Sequence, residues 1–128
     1  MADAPQTVLV VDDDESLRML CRVNLELEGY RVLEAATVSR AKELLRDEPI
    51  DVVLLDVHVG SEDGFALLDH VDAQRVALFS GSYEADEKRR AQVDAVVRKP
   101  FTLDELTETV ARLVAAAAGA RSGRLQRP

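Results

Sequence analysis

Short runs of apolar residues, rich in β-branched side chains, recur along the chain, and each is followed by a segment with apolar residues three or four positions apart. The short runs have the length of buried strands, and the spacing between them is that of helices that pack by one face. Strands that alternate with helices are typical of a parallel sheet covered on both sides. We therefore predict an α/β fold with five strands, at residues 7–11, 31–35, 52–56, 76–80 and 95–98.

Five helical segments accompany these strands, and the sequence defines them unequally. The last is defined best, because Thr102 can cap its N-terminus and Glu105 completes a capping box. Segment 83–93 is defined worst, because EADEKRRAQ is almost entirely polar and offers little to bury. Cys21 shares an apolar face with leucines, so we interpret it as a core residue. The predicted stripes are Leu17, Leu20, Cys21 and Leu25; Val38, Ala41, Leu44 and Leu45; Phe65, Leu68 and Val71; and Leu103, Leu106, Val110, Leu113, Val114 and Ala117.

Length and charge narrow the range of functions. A chain of 128 residues, 47% of them hydrophobic and 31% charged, has room for one compact domain, which we place at residues 1–118. The net charge of −8 argues against nucleic-acid binding, because phosphate backbones are held by clustered Lys and Arg. Three arginines near the end, with no acidic residue after Glu108, lie among glycines, so residues 119–128 are predicted to be a flexible basic tail.

The cysteine content, the length of the apolar runs and the N-terminal sequence together predict the cellular location. A lone cysteine cannot form an intramolecular disulfide, which fits a reducing compartment. No run approaches the ~18 apolar residues of a membrane span, and the N-terminus MADAPQT lacks the features of a signal peptide. We therefore predict a cytoplasmic protein with no membrane partner.

Polar side chains gather where the predicted strands end. Functional groups of an open parallel sheet collect beyond the carboxyl ends of its strands. The third strand ends in Asp56, the fourth in Ser80 and the fifth in Lys99, while the first ends in three consecutive aspartates. Carboxylates placed together raise one another's pKa unless a cation holds them, and Mg²⁺ suits such a shallow oxygen site. We therefore predict a Mg²⁺ site among the gathered carboxylates, which are those of Asp12, Asp13, Asp14 and Asp56.

Asp56 is the residue that points to a reaction. An acidic cluster at a helix N-terminus explains Asp14 and Glu15, but not a carboxylate at the end of a buried strand. A carboxylate at a metal site can act as a nucleophile and form an aspartyl phosphate. Phosphoryl transfer needs positioning and charge neutralisation, which a metal and Lys99 can supply. The hydroxyl of Ser80 is a suitable donor to a phosphoryl oxygen.

At these residues the sequence resembles the receiver domain of two-component response regulators. The resemblance covers roughly residues 7–117, through the strings VLVVDDDE, DVVLLDV, DGFALL, LFSGS and VRKPF. It implies a doubly wound, flavodoxin-like arrangement of a five-stranded parallel sheet with five helices. The chain departs from the family pattern at two positions. Gly60 stands where a proline is usual, and Val96 stands where an aromatic residue is common, so the usual hydroxyl–aromatic coupling lacks its aromatic side chain.

The resemblance implies a role for each residue that matches the family motif. Asp56 would be the phosphoacceptor, and Lys99 would be the lysine that contacts the phosphate. Ser80 would supply the hydroxyl that the phosphoryl oxygens attract. The metal ligands would be Asp12, Asp13, Asp56 and the backbone carbonyl of His58.

The resemblance also implies partners for a protein that is not an enzyme in the usual sense. A histidine kinase or a histidine phosphotransfer protein would donate the phosphoryl group, and a conformational change would signal to an unknown protein partner, with a phosphorylation-dependent dimer as a further form of output. A phosphorelay intermediate and a non-phosphorylated interaction module of receiver shape remain alternatives. A hydrolase of the haloacid dehalogenase kind is a rival, but its second acid normally lies two residues beyond a nucleophile on the first strand.

Overall fold

The computed structural model describes residues 5–80 and 90–126, apart from the side chains of residues 80 and 118–126. Strands and helices alternate along most of this length, as the apolar pattern predicts. Their order is β1 (Thr7–Val11), α1 (Glu15–Leu27), β2 (Arg31–Ala35), α2 (Val38–Asp47), β3 (Val52–Asp56), β4 (His58–Val59), β5 (Glu62–Asp63), a 3-10 helix (Gly64–His70), β6 (Arg75–Ser80), β7 (Ala95–Arg98) and α3 (Leu103–Gln126).

Five of the strands form one parallel sheet in the order β2-β1-β3-β6-β7. The five predicted strands are confirmed, with β6 beginning one residue earlier than predicted. Because β1 and β3 are neighbours in the middle of the sheet, the residues that follow them emerge side by side. The two-residue strands β4 and β5, which we did not predict, form a separate antiparallel hairpin directly after β3.

Alternate residues of the central strands pack on opposite faces of the sheet. On one face Leu9 and Val11 of β1 belong to a buried cluster with residues of α2 and the 3-10 helix. On the other face Val8 and Val10 belong to a cluster with residues of α1 and α3. Cys21 lies in this second cluster and is fully buried, and burial raises the pKa of its thiol to about 12. Its interpretation as a core residue is confirmed.

The helices differ in two ways from the prediction. The third predicted helix is present as a 3-10 helix, whose end is marked by the Val71 amide donating to the Leu68 carbonyl three residues back. Two leucines assigned to buried stripes are exposed instead, since Leu20 and Leu103 keep 43% and 41% of their surface. The fourth predicted helical segment, 83–93, lies mostly outside the described residues.

The last helix begins as the sequence predicts and is long. The amide of Glu105 donates to Oγ1 of Thr102 over 3.1 Å, which confirms Thr102 as the cap. The helical backbone runs for 24 residues to Gln126 and so includes most of the segment 119–128 that we assigned to a tail. The domain boundary at 118 and the flexibility of the tail stay predictions. Within the described ranges, no helix has an apolar stretch that could cross a bilayer.

Candidate functional site

Three carboxylates meet where β1 and β3 end. Asp12 directly follows β1 and is almost completely buried, with 1% of its surface exposed. Its amide donates to the Ala35 carbonyl over 3.1 Å, and its Oδ1 accepts from the Asp14 amide over 2.9 Å. Carboxylate oxygens of Asp12, Asp13 and Asp56 lie within 4.8 Å of one another. The structure therefore brings together the acids that the sequence assigned to one site.

The spacing of these oxygens fits a divalent cation. Mg²⁺ binds oxygen at about 2.0–2.1 Å, so ligands on opposite sides of the ion are about 4.2 Å apart. The carboxylate oxygens, within 4.8 Å of one another, can surround one such ion after small side-chain movements. Asp13 is exposed while Asp12 is buried, so the cluster opens to solvent and leaves room for water or phosphate oxygens. The donor set, all oxygen, is that of a hard cation such as Mg²⁺.

A single ammonium group bridges two of the acids. Nζ of Lys99, which directly follows β7, lies 3.2 Å from Oδ2 of Asp12 and 3.5 Å from Oδ2 of Asp56. The Lys99–Pro100 peptide bond is cis, a feature that the sequence did not predict. Because β7 is two strands away from β3 in the sheet, this side chain reaches across the end of β6. The predicted meeting of acids and lysine is thus present in the structure.

Burial and charge shift the proton affinities of the central pair. Burial and the neighbouring charge of Asp12 raise the pKa of Asp56, although Lys99 and the backbone amide of His58 act in the opposite direction. For Lys99, burial acts to lower the pKa, but the charges of Asp12 and Asp56 outweigh it, and the pKa lies above its ordinary value of 10.5. The ionised form of Asp56 is therefore unfavourable in the metal-free protein, and a bound cation would stabilise it.

The raised pKa of Asp56 predicts how the metal-free protein responds to pH. A carboxyl whose pKa is higher in the folded than in the unfolded chain favours folding below its unfolded value, near 3.8, and this contribution is lost as pH rises through the folded pKa. In EDTA, we expect the free energy of unfolding of the parent to fall relative to that of Asp56→Asn over this range. Urea unfolding of both proteins at a series of pH values measures the difference. Parallel pH profiles would contradict the assigned shift.

For two further predicted site residues, His58 and Ser80, the structure describes only part of the predicted role. His58 lies in β4, and its backbone amide donates to Oδ1 of Asp56 over 3.3 Å. That its carbonyl completes a metal shell stays a prediction. The backbone of Ser80 ends β6 and pairs in register with Arg98, but its side chain lies outside the described part of the chain, as do Gly81 and Ser82.

Sequence reasoning missed two residues that support the site. A Cβ atom on Gly64 would lie 2.0 Å from the backbone oxygen of Asp56, so only glycine fits the close approach at that position. Its amide donates to the Val57 carbonyl over 2.8 Å. Arg18 donates from Nη1 to the backbone oxygen of Asp12 over 2.7 Å. Gly64 lies in the string DGFALL, which does not show what its backbone approaches, and nothing local to Arg18 indicates its partner.

Comparison with known proteins identifies the class to which this fold and site belong. Residues 8–111 match the family model of the response regulator receiver domain. The chain therefore belongs to the response regulator receiver domain family, whose members are signalling modules of two-component systems. Both the predicted resemblance and the flavodoxin-like arrangement of the sheet are confirmed.

Individual relatives show how far the similarity extends. The chain is 33% identical over 115 residues to the transcriptional regulatory protein KdpE of Mycobacterium tuberculosis, an alignment covering 85% of this chain and 50% of KdpE. The chain thus spans about half the length of that relative. It is 29% identical over 112 residues to sporulation initiation phosphotransferase F of Bacillus subtilis, covering 82% of this chain and 90% of that protein.

Solved structures give the same fold. NtrX from Brucella abortus superimposes with a TM-score of 0.87 at 26% identity, covering 97% of this chain and 30% of NtrX. A CheY-like receiver domain from Methanospirillum hungatei JF-1 superimposes with a TM-score of 0.82 at 22% identity, covering 91% of this chain and 99% of that one. At that identity the second comparison shows the fold alone.

Proposed function

We propose that the chain is a cytoplasmic signalling switch in which Asp56 accepts a phosphoryl group from a phosphohistidine, in a reaction that depends on Mg²⁺. One observation carries the proposal: side chains from the ends of three strands converge on a space the size of one cation. The carboxylate oxygens of Asp12, Asp13 and Asp56 lie within 4.8 Å of one another, and Nζ of Lys99 lies 3.5 Å from Asp56.

The chemistry assigns each group a part. An Asp56 carboxylate oxygen attacks the phosphorus atom as the phosphorus–nitrogen bond of the donor breaks, and the electron pair returns to the histidine ring. Mg²⁺, held by Asp12, Asp13, Asp56 and, as predicted, the His58 carbonyl, would neutralise charge on the phosphoryl oxygens. Lys99 supplies a second positive charge beside Asp56, since its Nζ lies 3.5 Å from Oδ2 of that residue.

Phosphorylation would be converted into a signal at the other side of the site. The phosphoryl group carries about −1.5 to −2 charges, where the free carboxylate carries about −1, and brings three acceptor oxygens, which we propose attract the Ser80 hydroxyl. This pull on the end of β6 would be passed to its neighbour β7 and alter the surface of β7 and α3. Val96 of β7 is partly buried against the core, so any such coupling along β7 would operate without an aromatic side chain at that position.

An exposed apolar face supports a protein as the phosphoryl donor. Helix α1 begins at Glu15, directly beyond the acidic residues, so its surface adjoins the site. Contiguous apolar side chains on an exposed helix face are typical of a surface that a partner covers. We propose that a histidine kinase or a histidine phosphotransfer protein contacts this face. Its exposed apolar residues are Met19, Leu20, Val23 and Leu27, which keep 54%, 43%, 44% and 80% of their surface.

A phosphorelay intermediate is a second candidate with support of its own. The chain covers 90% of sporulation initiation phosphotransferase F, a protein whose name states a transfer function. An intermediate would pass its phosphoryl group on to a second histidine protein, whereas a terminal switch would lose it to water. Both begin with the same phosphorylated Asp56.

The proposal is tested by intact-mass measurement after incubation with acetyl phosphate and Mg²⁺. We expect the addition of one phosphoryl group, its absence when EDTA removes the metal, and its loss on treatment with hydroxylamine, which cleaves acyl phosphates. A modification that survives hydroxylamine would place the group on another type of side chain. Steady turnover of a small phosphomonoester would favour a hydrolase, and no Mg²⁺-dependent modification at all would favour an unphosphorylated interaction module.

A further inference from the structure

Arg18 reaches from α1 to the backbone beside the acidic cluster. Its Nη1 donates to the Asp12 carbonyl oxygen over 2.7 Å, and its Nε lies 3.3 Å from Oε1 of Glu34. The side chain is largely buried, with 14% of its surface exposed, so these contacts are shielded from water. Because two nitrogens of its guanidinium group contact different residues, the side chain is fixed in position, unlike that of a solvated surface arginine.

The Asp12 carbonyl is a sensitive place for such a contact. A peptide unit is planar, so the direction of the Asp12 carbonyl fixes the orientation of the whole link to Asp13. The same residue is held at its amide by the Ala35 carbonyl and at its Oδ1 by the Asp14 amide, over 3.1 Å and 2.9 Å. Arg18 adds a third contact at the Asp12 carbonyl oxygen, whose direction fixes the plane of the peptide that leads to Asp13.

Glu34 in turn holds the arginine. Glu34 lies on β2 and is paired in register with Val10 of β1, so its carboxylate projects from the rigid sheet. Oε2 of Glu34 accepts from Nη1 of Arg22 over 2.7 Å, one helical turn beyond Arg18. The two arginines therefore share one carboxylate, but the short contact to Asp12 is made by Arg18.

We propose that Arg18 is a positioning residue for the metal-binding acids: by fixing the Asp12–Asp13 peptide, it sets the distance between the two carboxylates and thereby the affinity for Mg²⁺. This inference rests on the proposed function, because it takes Asp12 and Asp13 as metal ligands. Groups that orient metal ligands from outside typically change metal affinity about 10–100-fold when they are removed.

The positioning role of Arg18 and its positive charge have opposite effects on the affinity for Mg²⁺. A measurement of that affinity therefore distinguishes them. Arg18 is a cation near the acids, so its charge by itself repels a divalent ion. If charge were its main effect, replacing Arg18 with a neutral residue would tighten Mg²⁺ binding. If it positions Asp13, the same replacement weakens binding.

The experiment is calorimetric titration of Mg²⁺ into the parent, Arg18→Met, Arg18→Lys and Arg22→Met. We expect Arg18→Met to raise the Kd about 10-fold. Arg18→Lys, which keeps a donor and the charge, is expected to restore part of the affinity. Arg22→Met is the matched control, because it removes an equal charge from the same helix and the same carboxylate, and should change the Kd less than about 2-fold.

A double substitution tests whether Glu34 acts through Arg18. Glu34→Gln should raise the Kd in the parent but add little to Arg18→Met, since residues that act as one unit are not additive. Thermal unfolding of each variant verifies that it is folded, and if Arg18→Met is not, Arg18→Lys and Glu34→Gln carry the test. A parent that binds Mg²⁺ with Arg18→Met binding equally or more tightly overturns this inference alone. A parent that binds no Mg²⁺ at millimolar concentrations overturns the proposed function.

Discussion

The Asp56→Asn variant is expected to take up no phosphoryl group from acetyl phosphate, while it keeps its fold. An amide nitrogen or oxygen lacks the negative charge that makes a carboxylate oxygen a nucleophile, so phosphorylation at this position should fall to the background of the measurement. The fold should persist, because burial and the charge of Asp12 already disfavour an ionised Asp56 in the metal-free protein. Intact mass after incubation with Mg²⁺ and acetyl phosphate measures the first result, and urea unfolding the second.

A matched aspartate controls for the loss of one acid. Asp69 is exposed and lies in the 3-10 helix, outside the acidic cluster, so Asp69→Asn removes the same charge without touching the site. We expect this variant to be phosphorylated as readily as the parent. Modification of Asp56→Asn to the same extent as the parent would show that the phosphoacceptor is another residue.

Replacing Gly64 with alanine is expected to damage both stability and phosphorylation. The added Cβ atom would lie 2.0 Å from the Asp56 backbone oxygen and 2.9 Å from that of Val57, and neither backbone oxygen can move without moving the end of β3. Overpacking of this kind costs about 3 kcal/mol in free energy of unfolding. Because the displaced backbone carries the Asp56 side chain, Mg²⁺-dependent phosphorylation of the folded fraction should also decrease. Urea unfolding and intact mass measure the two effects.

Gly29→Ala separates backbone strain from this collision. Gly29 has a φ of 96°, which disfavours alanine, but nothing lies within 4 Å of the place where its Cβ would be. We expect it to lose about 1 kcal/mol of stability and to be phosphorylated as the parent is. If Gly64→Ala matched Gly29→Ala in both measurements, the close approach to Asp56 would have no functional consequence.

The strands and the acidic cluster could be predicted because both follow from general rules. Buried parallel strands are apolar on both faces, and β1 is buried at all five positions, which makes a continuous run such as TVLVV easy to recognise. The rule that functional groups follow the strand ends then places Asp12, Asp56 and Lys99 together without any knowledge of side-chain conformation. Sequence reasoning thus succeeded where topology alone decides the outcome.

The remaining features depend on tertiary contacts that no local pattern encodes. The two-residue strands β4 and β5 are too short to show an alternating pattern. The 3-10 geometry of residues 64–70 accompanies the close approach of Gly64 to β3, which only the folded chain shows. Arg18 has many partners within reach of its long side chain, and its choice of the Asp12 carbonyl depends on where α1 lies on the sheet.

Helix α1 has three faces, and each does something different. Cys21 and Leu25 are buried against the sheet, Arg18 and Arg22 hold Glu34, and the side that includes Val23 and Leu27 is open to solvent. The exposed apolar residues of this face are separate from the acids of the cluster, although α1 begins at Glu15, directly beyond Asp14. If donors contact this face as proposed, substitutions on it can change which donor is recognised without altering the side chains of the acidic cluster, so that copies of one gene can come to respond to different donors.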